Sequence, residues 1–153
     1  MKILLVCTGN TCRSPMAAAL LTRALAGAGM SHEVSSAGTS PWEGSPASEG
    51  SYLVALEHGL DLSAHRARRA TRELVAEADL ILAMSRGHLD RLAALGGAGK
   101  SHLLGEFVGF DGDEAEVPDP MGGEIDAYRD AFDQIEHLVT LAVPRLAAAG
   151  PRP

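Results

Sequence analysis

The stretch that decides the fold is "KILLVCTGNTCRSPMAAALLTRALAG", Lys2 to Gly27. An apolar run, Ile3-Leu4-Leu5-Val6, leads directly into Cys7, as a short strand buried on both faces does. A polar loop follows and ends at Arg13, after which an alanine- and leucine-rich segment is helical in period from Pro15 to Ala28. Both cysteines of the chain, Cys7 and Cys12, fall in that loop beside the arginine. Strand, loop and helix in this order predict the first unit of a parallel sheet.

Other strand-like runs lie around Glu33–Ser36, at Asp79–Met84 and near Ser101–Leu104, with helical patterns at Ala47–His58, Thr71–Glu77, Ser85–Ala94 and Ile125–Ala148. Gly27 and Gly29, Gly59, and Gly96-Gly97 punctuate the breaks. Alternating strands and helices predict an α/β domain whose parallel sheet is covered on both faces. Residues 1–150 read as one domain and residues 151–153 as a loose C-terminal tail. One long connection, "GEFVGFDGDEAEVPDPMGGE" from Gly105 to Glu124, is acidic, rich in glycine and proline and nearly patternless. Connections of that length in small domains are functional or mobile.

The 153 residues, 46% hydrophobic and 22% charged, suit one globular core. Thirteen Lys and Arg against 20 Asp and Glu leave a net charge of −7, which argues against a broad nucleic-acid-binding face. No apolar run has the length of a membrane span, and Met1–Val6 is too short for a signal peptide. A cytoplasmic address, where thiols stay reduced, is the expectation. Two cysteines build no disulfide framework, and no Cys/His spacing matches a zinc site.

In an open parallel sheet, ligands bind beyond the carboxyl ends of the strands, where the residues after Val6 lie. A tight loop entering a helix turns backbone N–H groups inward, and the helix dipole adds positive charge. Gly9 and Asn10 suit the left-handed conformations such a curl needs, and Pro15 suits a first helical position. Amide dipoles and Arg13 favour thiolate over thiol at Cys7. The Arg13 fork can hold two phosphoryl oxygens, and Cys-x5-Arg spacing sets it across a bound anion from the sulfur. Ser14 can donate to that sulfur and ease its departure in a second step. The competing reading makes Cys7 a small buried hydrophobe.

A thiolate that attacks phosphorus needs an acid for the leaving group. Asp119 in "VPDPMGG" is the candidate, because Pro118 and Pro120 restrain its backbone on either side. An ordinary Asp-Pro turn is the alternative.

"VCTGNTCRSPMA" resembles the active-site loop of low-molecular-weight protein tyrosine phosphatases, and "VPDP" resembles their general-acid loop. "SSAGTS" at Ser35–Ser40 and "EHGLDLSAHRAR" at Glu57–Arg68 extend the likeness along nearly the whole chain. The resemblance implies a flavodoxin-like three-layer sandwich with a four-stranded parallel sheet, no metal and no cofactor. It also implies hydrolysis of a phosphorylated protein to release inorganic phosphate. Cys7 would attack to form a cysteinyl-phosphate while Asp119 protonates the leaving group, and water would then hydrolyse the intermediate with Asp119 as base. Arg13 and the amides of Thr8, Gly9, Asn10, Thr11, Cys12 and Ser14 would hold the phosphoryl oxygens. Asn10, Ser14, Ser36 and His65 would brace the loop, although His65 alone also reads as an ordinary structural histidine.

Three positions bear on the substrate. Met121-Gly122-Gly123 stands where many members carry a pair of aromatics, so that wall is missing or reduced. Trp42 offers an aromatic face or packs inward. Thr11 stands where tyrosine-directed members commonly carry isoleucine or leucine, and together with "DP-x-GG" it resembles the protein-arginine phosphatase branch. A small polar side chain suits a guanidinium-phosphate better than a flat apolar ring. The acidic loop residues Asp111, Asp113, Glu114 and Glu116 would attract a cationic substrate or simply form a solvated face. Cys12 would form a reversible disulfide with Cys7, or pack beneath the loop. Two rival readings stand beside the phosphatase. One is an arsenate reductase of the same fold, which needs further cysteines downstream and finds none after Cys12. The other is a phospho-carrier or non-catalytic phosphate binder.

Overall fold

The computed structural model describes residues 1–149, and the tail expected at 151–153 lies outside them. Four strands, β1 (Lys2–Cys7), β2 (Glu33–Gly38), β3 (Leu80–Ala83) and β4 (Ser101–Leu103), form one sheet in the order β2-β1-β3-β4. Every pairing is parallel, with Ile3 of β1 opposite Val34 and Leu80. Six α-helices connect or follow them: α1 (Arg13–Gly27), α2 (Glu49–Glu57), α3 (Arg72–Glu77), α4 (Arg86–Ala94), α5 (Leu104–Phe107) and α6 (Ile125–Ala149).

The unbroken apolar run of β1 has a direct structural cause. Ile3, Leu5 and Cys7 point into a core formed with Met16, Leu20 and Leu21 of α1, Val54 of α2, and Phe132 and Ile135 of α6. Leu4 and Val6 point the other way, toward Val75 of α3 and Leu92 of α4. Each such burial removes a large side chain from water and is worth about 1.5–3 kcal/mol. The result is the expected three-layer, flavodoxin-like sandwich. Among the described residues no helix is long and apolar enough to cross a membrane.

Helix α1 starts at Arg13, earlier than the periodicity places it. Pro15 therefore sits third in the helix, still in the turn whose N–H groups have no intrahelical acceptor. The connection from Gly105 to Glu124 is also more ordered than its composition suggests. It contains the end of α5 and a short 3₁₀ turn at Gly112–Ala115, and it buries Ala115 and Val117. Close packing explains this, since a Cβ on Gly105 would lie 2.4 Å from the Ala115 carbonyl oxygen. The Val117 N–H donates to the Met84 carbonyl at 2.9 Å, and the Gln134 amide donates to the Glu116 carbonyl at 2.9 Å. Glu116 itself accepts the first N–H of α4, from Arg86, at 2.7 Å. It therefore caps a helix, whereas Asp111, Asp113 and Glu114 are exposed.

Because β2 and β3 lie on opposite sides of β1, the chain changes direction between β1 and β3. Ligand crevices form at such a switch point. The loop after β1 and the start of α4 after β3 border it.

Candidate active site

The loop from Cys7 to Arg13 is curled by contacts made to its outer side. The Cys7 and Thr8 carbonyls accept the amides of Thr39 and Ser40, each at 3.0 Å. The Asn10 carbonyl accepts a hydrogen bond from His65 Nε2. Ser48 donates to the Thr11 carbonyl from its amide at 2.9 Å and its hydroxyl at 3.1 Å. With the carbonyls drawn outward, the loop N–H groups from Thr8 onward are left to the interior of the curl, a nest for an anion. Asn10 carries the one left-handed non-glycine conformation among the described residues, φ 55°. Gly9, the other candidate for that role, has no positive φ.

Asn10 also organises the side chains. Its amide nitrogen donates to Ser14 Oγ at 2.8 Å and to Ser36 Oγ at 2.9 Å, while its oxygen accepts the Arg68 amide at 3.0 Å. Ser14 Oγ lies 2.9 Å from Cys7 Sγ. Because that oxygen already accepts from Asn10, the Ser14 hydroxyl hydrogen is free to point at sulfur. His65 is pushed below the ordinary histidine range by burial, so its neutral ring donates to Asn10 without adding charge.

Arg13 is 3% exposed. Its Nη1 donates to Ser85 Oγ at 2.8 Å and to the Val117 carbonyl at 2.9 Å. Its Nη2 lies 3.5 Å from Thr8 Oγ1 and 3.7 Å from Asp119 Oδ2, and its buried Nε has no partner among the described residues. One edge of the guanidinium is thus spent on the scaffold. The Nε/Nη2 edge remains as a fork for two oxygens.

Cys7, Arg13 and Asp119 border one cleft of about 340 Å³, walled by Thr8, Thr11, Trp42 and Met121. Asp119 Oδ1 accepts the Met121 amide at 3.0 Å, the local turn that Asp-Pro chemistry favours, and Oδ2 faces Arg13. Trp42 is 87% exposed at the rim and does not pack inward. Met121 reaches to within 4.0 Å of a Cβ built on Gly9, so the wall opposite is reduced but present. Cys12 is buried, its Sγ 3.2 Å from Ser48 Oγ, and both cysteines are free thiols.

Sequence reasoning missed four participants. Ser48 holds the loop at Thr11, and Ser85 and His88 at the start of α4 reach Arg13 and Thr8. The signal for the α4 pair was a serine three residues before a histidine at a helix start, which reads only as a cap. Gly38 is the fourth. A Cβ there would lie 2.5 Å from the Thr8 carbonyl oxygen and 3.1 Å from Asn10 N. Gly38→Ala is expected to cost about 1–3 kcal/mol of stability and to weaken phosphate binding, checked by thermal unfolding with and without phosphate.

The cleft thus brings a thiol-bearing loop at the head of a helix, Cys7 to Arg13, together with a free guanidinium edge and the carboxylate of Asp119. The model of the low molecular weight phosphotyrosine protein phosphatase family matches residues 2–149, and the chain belongs to that family of protein phosphatases. A protein-arginine-phosphatase of Geobacillus stearothermophilus is 43% identical over 149 residues, 95% of each chain. The probable low molecular weight protein-tyrosine-phosphatase EpsP of Ralstonia nicotianae is 39% identical over 150 residues, 97% of each. A solved structure of the arginine phosphatase YwlE, in a mutant with a phosphorylated active-site serine, superposes with a TM-score of 0.90 at 36% identity, covering 96% of both chains.

Proposed function

We propose that the protein hydrolyses phosphoarginine in proteins through a cysteinyl-phosphate intermediate, in the cytoplasm, where the nucleophile stays reduced. The Cys7 thiolate attacks phosphorus, and the electron pair of the breaking bond goes to the leaving nitrogen, to which Asp119 delivers a proton. The Nε/Nη2 edge of Arg13 and the loop amides bind the phosphoryl oxygens as their charge shifts. Water then attacks the phosphocysteine and loses its proton to Asp119, while the Ser14 hydroxyl stabilises the departing sulfur. Phosphate leaves and the enzyme is restored. The mechanism is supported by the 2.9 Å approach of Ser14 to Cys7 and by the relative that holds a phosphorylated serine at its active site. A stable phosphocysteine carrier would gain nothing from a carboxylate beside the arginine, and the arsenate reductase relay lacks its later cysteines.

The arginine reading is carried by Thr11, a small polar residue in the cleft wall, where an aromatic substrate would be better served by an apolar one. Sequence kinship alone does not decide it, because relatives of similar identity are named for arginine and for tyrosine. The test compares kcat/KM for phosphoarginine and phosphotyrosine peptides. Wild type is expected to favour phosphoarginine, and Thr11→Ile to shift the ratio roughly tenfold or more toward phosphotyrosine. An unchanged ratio removes Thr11 as the determinant.

A further inference from the structure

Ser85 and His88 stand outside the Cys-x5-Arg loop yet hold both of its flanks. Ser85 Oγ accepts from Arg13 Nη1 at 2.8 Å. His88 Nδ1 accepts the Ser85 backbone N–H at 3.1 Å, and its Nε2 lies 2.9 Å from Thr8 Oγ1. The first of these histidine contacts fixes the tautomer of the ring. A backbone amide can only donate, so Nδ1 must be the acceptor and the ring proton sits on Nε2, donating to Thr8. His88 is buried, and burial together with the Arg13 charge pushes its pKa down to about 4. The ring therefore stays neutral near neutral pH and keeps its acceptor.

Thr8 is exposed in the cleft. Its oxygen receives the His88 hydrogen and faces Arg13 Nη2, while its own hydroxyl hydrogen has no acceptor among the described residues. An oxygen held from behind directs its hydrogen forward. We propose that His88 is a positioning residue that orients the Thr8 hydroxyl as a donor to a phosphoryl oxygen of the bound substrate. Through Ser85 it couples that orientation to the side chain that holds Arg13. This rests on phosphoryl transfer at Cys7 and adds a side-chain donor to the ring of amides. A donor fixed in advance acts on the charge that redistributes in the transition state, so it raises kcat more than it lowers KM.

The test uses His88→Asn, Thr8→Val and the double variant, assayed on para-nitrophenyl phosphate and a phosphoarginine peptide. The shorter amide introduced by His88→Asn would keep an acceptor near the place of Nδ1 for the Ser85 N–H but could not span to Thr8. Each single variant is expected to lose about tenfold in kcat, the worth of one oriented hydrogen bond, with KM within twofold and an unchanged Tm. The double variant is expected to lose no more than either single one, because both remove the same donor. Wild-type kcat in either single variant, losses that multiply in the double, or a loss confined to KM overturns the proposal. Should His88→Asn fail to fold, nitrogen NMR of the imidazole replaces it: a proton on Nε2 whose signal shifts in Thr8→Val supports the contact, and a proton on Nδ1 overturns it. A wild-type protein without turnover, or a Cys7→Ser variant with it, refutes the underlying mechanism and not this assignment.

Discussion

Cys7→Ser is expected to abolish turnover, by at least about four orders of magnitude, while phosphate or vanadate binds within severalfold of wild type. The two halves of this expectation have separate structural origins. Binding depends on the curl of the loop, and the contacts that curl it are made by backbone carbonyls and by Asn10, with no involvement of the sulfur. The Arg13 fork is likewise placed by Ser85 and Val117. Bond formation to phosphorus, by contrast, depends on the sulfur. A serine hydroxyl at neutral pH is un-ionised, and a phosphoserine formed at that position, like the one a mutant relative holds, offers a poorer leaving group than a phosphocysteine for the second step. Isothermal titration with vanadate, beside steady-state and burst kinetics on para-nitrophenyl phosphate, separates the two. Retained turnover would falsify Cys7 as the nucleophile, and lost binding would show that the sulfur shapes the loop.

The sheet was legible because parallel strands buried on two faces leave a signature that survives without tertiary information. The run Ile3-Leu4-Leu5-Val6 is apolar at every position because alternate residues serve the two cores. The order of the loop residues was equally legible, since Cys-x5-Arg between a strand and a helix constrains what can lie across from what. Three things were not legible. The ordered part of the Gly105–Glu124 connection depends on Gly105 lying flush against Ala115, a contact between residues that share no local pattern. Helix α1 begins at Arg13 with Cys12 at its N-cap and no capping side chain, so no residue of the usual capping types marks its start. Ser85 and His88 lie 72 and 80 residues from their partners, and only the parallel pairing of β1 with β3 brings them beside the loop. A second pairing explains why Gly38 matters: β2 runs alongside β1 until its end meets the Thr8 carbonyl.

Asp119→Asn is expected to slow hydrolysis in proportion to how poorly the leaving group departs. Across a series of substituted phenyl phosphates, kcat/KM should fall by about a hundredfold or more for basic leaving groups, the range general acids supply, and by far less for para-nitrophenol. The geometry favours this division of labour. Oδ1 is occupied by the Met121 amide at 3.0 Å, so the oxygen available to carry the proton is Oδ2, which faces Arg13 from 3.7 Å. Val117 fixes the near end of the segment through its N–H to Met84 and its carbonyl to Arg13, while Asp119 itself stays nearly half exposed, its side chain 46% accessible. That leaves the carboxylate anchored yet open to the water needed in the second step. Asparagine keeps the turn and its size but has no proton to give, so folding and vanadate affinity should stay near wild type. Leaving groups that need no protonation would then leave breakdown of the phosphocysteine as the slow step, seen as a larger burst relative to the steady rate. An equal loss for all leaving groups, with no change in the burst, would mean that Asp119 orients Arg13 and transfers no proton.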